Sequence, residues 1–298
     1  MAQWTIGEPD EIGFDETVRT LHVRLVGGAV KVVATDGPAL LEVTEVSGEP
    51  LLVTLEDGVL TVAYKDLGWH DFGETVKSVQ SVKEFFGSLR RGRRAEVTLA
   101  VPAGTEVKVG TVSAEATVSG ISGGVGAHSA SGGATLVGLT GRVLANTVSG
   151  DVTAQRVAGE LKVNTVSGAI TLVAGAAERI LANSVSGAVT LDLDVATPTD
   201  IKVTTVSGQV GVRLPSVADA KVEAGSTSGD VSSTFEELKV TGGWGAKRLS
   251  GQLGSGTGKL QVTSVSGPVT VLRRPEGEDD RPEPVKELPT GPDLTKEV

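Results

Sequence analysis

One short phrase recurs along this chain of 298 residues: a β-branched residue, then Ser, then Gly. It reads Val148-Ser149-Gly150, Val166-Ser167-Gly168, Val185-Ser186-Gly187, Val206-Ser207-Gly208, Thr227-Ser228-Gly229 and Val265-Ser266-Gly267, with Leu249-Ser250-Gly251 as a further copy. Looser copies stand at Ala130-Ser131-Gly132 and Val112-Ser113-Ala114. From Ser113 onward the Ser-to-Ser steps are 18, 18, 18, 19, 21, 21, 22 and 16 residues. A unit of about 20 residues cannot close a core by itself, so a period near 20 calls for units that bury their apolar faces on one another.

Aligned on the Ser, the copies show apolar columns. Six residues before it stand Val143, Leu161, Ile180 and Ile201; four before, Ala145, Val163, Ala182 and Val203. Three after it come Val152, Ile170, Val189 and Val210; five after, Ala154, Leu172, Leu191 and Val212. Apolar residues at every second position, rich in Val and Ile, predict two short strands per copy joined at the Ser-Gly. The expected fold is all-β: a single-chain parallel β-solenoid (β-helix) with about 18–22 residues per coil. The valine of the phrase, as at Val166, is expected to face inward, and the Gly to accept a positive φ. Asn146, Asn164 and Asn183 stand three before the Ser, with Thr147, Thr165 and Ser184 two before. Both columns are expected to hydrogen-bond from coil to coil.

Four regions follow from this pattern. Residues 1–64 alternate like strands without the regular spacing and read as an N-terminal β cap, since a bare sheet end invites foreign pairing. Residues 65–94 carry Val76, Val79, Val82, Phe85, Phe86 and Leu89 at helical spacing, with basic residues alongside. Residues 95–272 are the repeats. Residues 273–298, rich in Pro, Asp and Glu, read as a disordered acidic tail.

Chemistry is sparse. There is no Cys, which removes disulfides, thiolate metal sites and cysteine nucleophiles. His22, His70 and His128 lie far apart and match no metal or catalytic spacing. Asp192 and Asp194 share a strand face, while Asp151 and Asp230 share a column four coils apart, too far for paired acid–base work. No catalytic, cofactor-binding or metal residue is assigned, and no cofactor is expected. The net charge of -10 argues against nucleic acid as a partner. No signal-like N-terminus and no long apolar run is seen, so a cytoplasmic location is expected. The candidate contact residues, for a protein partner or an anionic membrane surface, are Phe85, Phe86, Leu89, Arg90, Arg91, Arg93, Arg94 and Trp244.

The strand-Val-Ser-Gly-strand units, Val101-Pro102-Ala103-Gly104-Thr105 and the Phe-Phe-Gly-Ser-Leu-Arg-Arg-Gly-Arg-Arg stretch at 85–94 together resemble the bacterial "putative adhesin" family of β-strand repeat proteins, the toastrack or DUF4097 domain. The resemblance runs from about residue 20 to 272. It implies a β-solenoid with a non-enzymatic role: a scaffold that binds a protein partner through a sheet face or edge. Two alternatives stand beside it. One is a peripheral membrane or envelope-stress factor docking through residues 76–94; the other is a glycan-binding or glycan-active β-helix.

Overall fold

The computed structural model describes residues 2–65, 92–194, 199–243 and 245–274. Every regular element among them is a strand. The N-terminal section holds β1 (Ala2–Ile6), β2 (Asp10–Phe14), β3 (Thr20–Leu25), β4 (Gly27–Thr35), β5 (Ala39–Ser47), β6 (Leu51–Glu56) and β7 (Val59–Ala63). The middle holds β8 (Arg94–Pro102), β9 (Glu106–Thr111), β10 (Glu115–Ser119), β11 (Val125–Ser129), β12 (Ala134–Val137), β13 (Val143–Thr147), β14 (Val152–Gln155), β15 (Ala158–Thr165), β16 (Ile170–Ser184), β17 (Val189–Leu193), β18 (Asp200–Thr205) and β19 (Val210–Leu214). The last section holds β20 (Ala220–Ser226), β21 (Val231–Ser233), β22 (Lys239–Gly242), β23 (Lys247–Leu253), β24 (Gly258–Ser264) and β25 (Val269–Arg273).

In the body, each copy of the repeat is one strand of a first sheet, a corner, and one strand of a second sheet. The first sheet stacks β9, β11, β13, β15, the second half of β16 and β18, all parallel. The second stacks β10, β12, β14, the first half of β16, β17 and β19, again parallel. The 15 residues of β16 run from one sheet into the other without a break and join them. The register keeps equivalent positions in line, as in Val143–Leu161–Ile180–Ile201. These inward columns are almost fully buried, so each coil adds a small aliphatic layer to one continuous core. With a core this thin, the stack as a whole is the cooperative unit.

At both ends the chain order and the spatial order part. β3 and β4 are not an outer layer: β7 and β8 lie outside them, parallel, and β9 and β10 lie inside. Antiparallel strands then close that end, β6 on β7, β5 on β8, β1 on β6 and β2 on β5. At the other end β24 and β25 slot between the coil of β18 and β19 and the coil of β20 and β21. The hairpin of β22 and β23 packs antiparallel on β20. The fold is therefore a solenoid-like all-β stack of mixed strand orientation, and not the wholly parallel coil expected from the spacing. The difference has a physical cause. A purely parallel stack would leave two bare sheet ends, and reversed strands can be laid there with short turns.

One apparent copy of the phrase is not a corner. Leu249-Ser250-Gly251 lies within β23, paired antiparallel with β20. The coil that truly follows Ser207 in space carries Ser266, whose backbone N–H donates to the Val206 carbonyl at 2.8 Å. For the same reason Asp230 stands one coil farther from Asp151 than chain order implies.

Candidate interaction surface

The corners are built the same way from coil to coil. Gly150, Gly168, Gly187, Gly208 and Gly267 sit one above another, and a Cβ on any of the last four would stand 1.9–2.0 Å from the carbonyl oxygen of the glycine in the adjacent coil. None of these has a positive φ. Glycine is required here for close approach of backbones, which corrects the expectation of a left-handed turn. At several corners the Ser hydroxyl of the phrase reaches the neighbouring coil: Ser186 Oγ donates to the Val166 carbonyl at 3.1 Å, Ser207 to Val185 at 3.3 Å, and Ser266 to Val206 at 3.2 Å. At three of these corners the buried hydroxyl two residues before the Ser turns inward and closes the corner. Thr147 Oγ1 accepts the Gly150 N–H at 2.9 Å, Thr205 Oγ1 accepts that of Gly208 at 3.0 Å, and Ser184 Oγ donates to the Gly187 carbonyl at 2.8 Å. At these corners the column bonds locally and not from coil to coil. Between the earlier coils, Thr111 and Ser129 do bond across, at 3.0 Å.

With the residue before it turned in and the Ser tied down, the phrase's valine has to point out. Val148, Val166, Val185, Val206 and Val265 are 37%, 45%, 45%, 46% and 49% exposed. The inward placement of Val166 is thus overturned. Alternation along the strand already demands it, because the residues four and two before the Ser face the core and the one directly before it cannot. The five valines occupy successive coils and form one apolar line of about 19 Å at a coil spacing of about 4.8 Å. Nearer the N-terminal end, the corner residues Val26 and Val112 are only 3% and 2% exposed. The line is open over one half of the corner and covered over the other.

On the outer face of the first sheet, the asparagine column is a true ladder. Asn183 Nδ2 donates to Asn164 Oδ1 at 2.9 Å, Asn164 Nδ2 to Asn146 Oδ1 at 2.7 Å, and Asn146 Nδ2 faces His128 Nδ1 at 3.2 Å. Every amide points the same way, so Nδ1 of His128 acts as acceptor and its proton sits on Nε2. Burial holds the His128 imidazole below its ordinary pKa, and burial with the nearby Lys108 and Arg24 does the same for His22. The ladder spends its own hydrogen-bonding groups on itself, which makes it a structural device.

Of the contact residues expected from the sequence, Phe85, Phe86, Leu89, Arg90, Arg91 and Trp244 lie outside the described residues. Arg93 is largely buried, pairs with Glu49 at 2.7 Å and stacks 5.4 Å over the ring of Tyr64. Burial pushes the Tyr64 phenol up to about 12 despite that neighbouring cation. Arg94 is exposed and faces Glu45 at 3.7 Å and Glu96 at 3.2 Å. Both arginines tie β8 to its surroundings. On either side of residue 244, Thr241, Gly242, Ala246, Lys247 and Arg248 wall a shallow cleft of about 540 Å³ floored by Gly225 and Thr263. Lys247 also pairs with Asp230.

Asp192 and Asp194 do share a face, and Arg274 holds both: its Nη2 meets Asp192 at 2.6 Å and its Nη1 meets Asp194 at 2.5 Å. Arg213 also binds Asp192, at 2.5 Å. Burial alone would raise the Asp192 carboxyl, but hydrogen bonds from Arg213 and Arg274 outweigh it and hold the group below the usual carboxylate range. This clamp was not foreseen, because Arg274 lies at the start of the segment read as tail. Among the described residues, no group of three or more His, Cys, Asp or Glu is placed to hold a metal ion, and no helix is long and apolar enough to cross a membrane.

This geometry defines a stacked-repeat β protein whose corners are set by glycine contact. Residues 53–272 match the family described as Toastrack DUF4097, and the chain belongs to that family. No curated protein matches it. Two solved structures match over most of each chain. The first is described as a putative lipid binding protein from Parabacteroides distasonis, at 14% identity and a TM-score of 0.49, covering 89% of this chain and 97% of that one. The second, described as a putative cell adhesion protein from Clostridium sporogenes, stands at 10% identity and a TM-score of 0.25, covering 90% and 100%.

Proposed function

We propose that this chain is a non-enzymatic β-solenoid scaffold that binds a protein partner along its valine-lined corner. The observation that carries the reading is the exposure of the same side chain in successive coils, while its counterparts Val26 and Val112 are buried. A contiguous, regularly spaced apolar line, unlike apolar side chains exposed singly, is a feature of contact sites. Its spacing also favours one kind of occupant. A helix lying along the corner repeats its apolar contacts about every 5.4 Å, close to the coil spacing of about 4.8 Å. A strand running the same way repeats at about 6.6 Å and falls out of step.

The test is photo-crosslinking from position 185 in the native cell, with Val166→Ser and Val206→Ser as the disrupting pair and Lys162→Ser as the control. One discrete crosslinked protein, kept by the control and lost from the disrupted pair, supports the reading. Equal crosslinking in all forms overturns it. Co-sedimentation with anionic vesicles that is lost on Phe85→Asp with Arg90→Ala would assign the surface role to residues 76–94 instead.

A further inference from the structure

We propose a second docking site, independent of the corner: the outer edge of β1, which no described strand pairs and which accepts an extended, basic segment of a partner protein as an added strand of the first sheet. Four strands end the two sheets among the described residues. β1 pairs only with β6, β2 only with β5, β22 only with β23, and β21 only with β25. Three of them carry the usual guards against foreign pairing. β2 begins Asp10-Glu11, β22 begins with Lys239 and ends with Gly242, and β21 is three residues long. β1 has no such guard. Its sequence Ala2-Gln3-Trp4-Thr5-Ile6 contains no charge, no Pro and no Gly.

The strand is also held ready. Ile6 is buried, and the ring of Trp4 packs edge-on against Phe14 with centroids 5.5 Å apart. Gln3 and Thr5 are exposed. One side of the β1 backbone is satisfied by β6, and the other presents N–H and C=O groups at strand spacing, the arrangement that strand addition uses. Little ordering of β1 is left to do when a partner arrives.

Charge selects the occupant. Residues 1–65 hold eleven Asp or Glu against four Lys or Arg, a net of -7, whereas residues 92–274 hold fourteen against sixteen, a net of +2. The acidity of the described residues is therefore gathered at the end where β1 lies. Glu8 stands two residues beyond the strand, and Glu56 ends the strand that β1 pairs with. Two β1 edges brought together would oppose like charges, and an anionic membrane would be repelled. A segment bearing Lys or Arg at its outward positions meets complementary charge while its main chain completes the sheet.

Three synthetic peptides of equal length, alternating Val or Thr with Lys, Gln or Glu, test this on the full chain by fluorescence anisotropy and hydrogen exchange. The Lys peptide is expected to bind, to weaken with added salt, and to slow amide exchange within residues 2–6. Gln3→Lys with Thr5→Lys should weaken it by about tenfold or more, as should Glu8→Gln with Asp10→Asn and Glu11→Gln. The first pair places charge on the edge itself; the second leaves β1 untouched, so a folding defect in one does not hide the answer. No binding of the Lys peptide, equal binding of the Glu peptide, or binding that leaves residues 2–6 exchanging as before would each overturn the proposal.

Discussion

Gly168 stands directly against Gly150 in the adjacent coil: a Cβ on Gly168 would lie 2.0 Å from the Gly150 carbonyl oxygen and 2.6 Å from its carbon. Neither of those atoms belongs to a flexible side chain, so neither can step aside. The contact repeats along the corner and sets how closely coils stack there.

Gly168→Ala should therefore force the corner open and cost several kcal/mol, about 3 or more, as overpacking against backbone does. Gly211→Ala is the matched control. A Cβ there meets nothing within 4 Å, and Gly211 lies within β19 without a positive φ. Its effect should stay within about 0.5 kcal/mol, with either sign. Urea unfolding of both variants at one pH decides the matter; equal midpoints would show that the corner glycines are interchangeable with alanine.

A second contrast separates the two valines of one coil. Val163 is buried in the first sheet, and Val166 is exposed at the corner. Val163→Asp strands a charge in an apolar layer and should cost several kcal/mol, enough to unfold a marginal chain. Val166→Asp should cost less than about 1 kcal/mol and lower affinity for the corner's partner. Melting temperatures that fall alike for the two would contradict the outward valine.

These contrasts show what could be read from the sequence. The columns at Val143, Leu161, Ile180 and Ile201 were legible because steps of 18 to 21 residues marked by the Ser-Gly phrase and a period of two leave one register open. The ends were not. A three-residue phrase does not say which strand lies beside it, so Leu249-Ser250-Gly251 looks like a corner although it runs through β23. Nor does chain order show that β24 and β25 return inside the last coil, since that depends on how the sheet ends are closed. The contact surface was half visible. Val148, Val166, Val185, Val206 and Val265 all stand in the motif, but the motif alone does not tell which way its valine faces; only the alternation, carried through to the residue directly before the Ser, turns it outward. Arg93 is a candidate partner or membrane contact by sequence, but its ion-pair partner Glu49 lies more than forty residues away and no local pattern points to it.

Acid should act on the asparagine ladder. His128 donates nothing through Nδ1 while that atom faces the Asn146 amide; protonation sets two donors against each other. The folded pKa of His128, like that of His22, lies below the ordinary 6.5. The neutral forms thus favour the folded state. Their contribution is complete above pH 6.5, shrinks as pH falls through the folded values, and is flat below them. His128→Asn extends the ladder with a group that does not titrate, so it should flatten part of the stability loss below pH 6.5 and leave the His22 part. An unchanged pH profile in that variant would remove His128 from the account.

The clamp at Arg274 yields the last expectation. Arg274 follows β25, the strand that returns out of order, and its N–H donates to the Leu214 carbonyl at 2.8 Å. Its guanidinium passes the coil of β18 and β19 and reaches Asp192 and Asp194 at the end of β17, with a third bond to the Leu193 carbonyl at 3.2 Å. One residue, through its backbone and its side chain, thereby ties three successive coils. Arg274→Ala leaves Asp192 with Arg213 alone and takes away Asp194's guanidinium. Because Asp194 is half-exposed, water recovers part of the loss, and the expected cost is about 2 kcal/mol, below that of breaking a fully buried pair. The pH dependence identifies the cause. Asp192 is held below its ordinary 3.8 in the folded chain, so this contribution is present above pH 3.8 and lost as pH falls through the folded value. The gap between wild type and Arg274→Ala should close over that same range. A gap that stays constant down to pH 2 would mean that Arg274 acts by packing alone. Hydrogen exchange gives a second reading: in the variant, β24 and β25 should open more readily than β13 to β15, since the tie that returns them to the stack is gone.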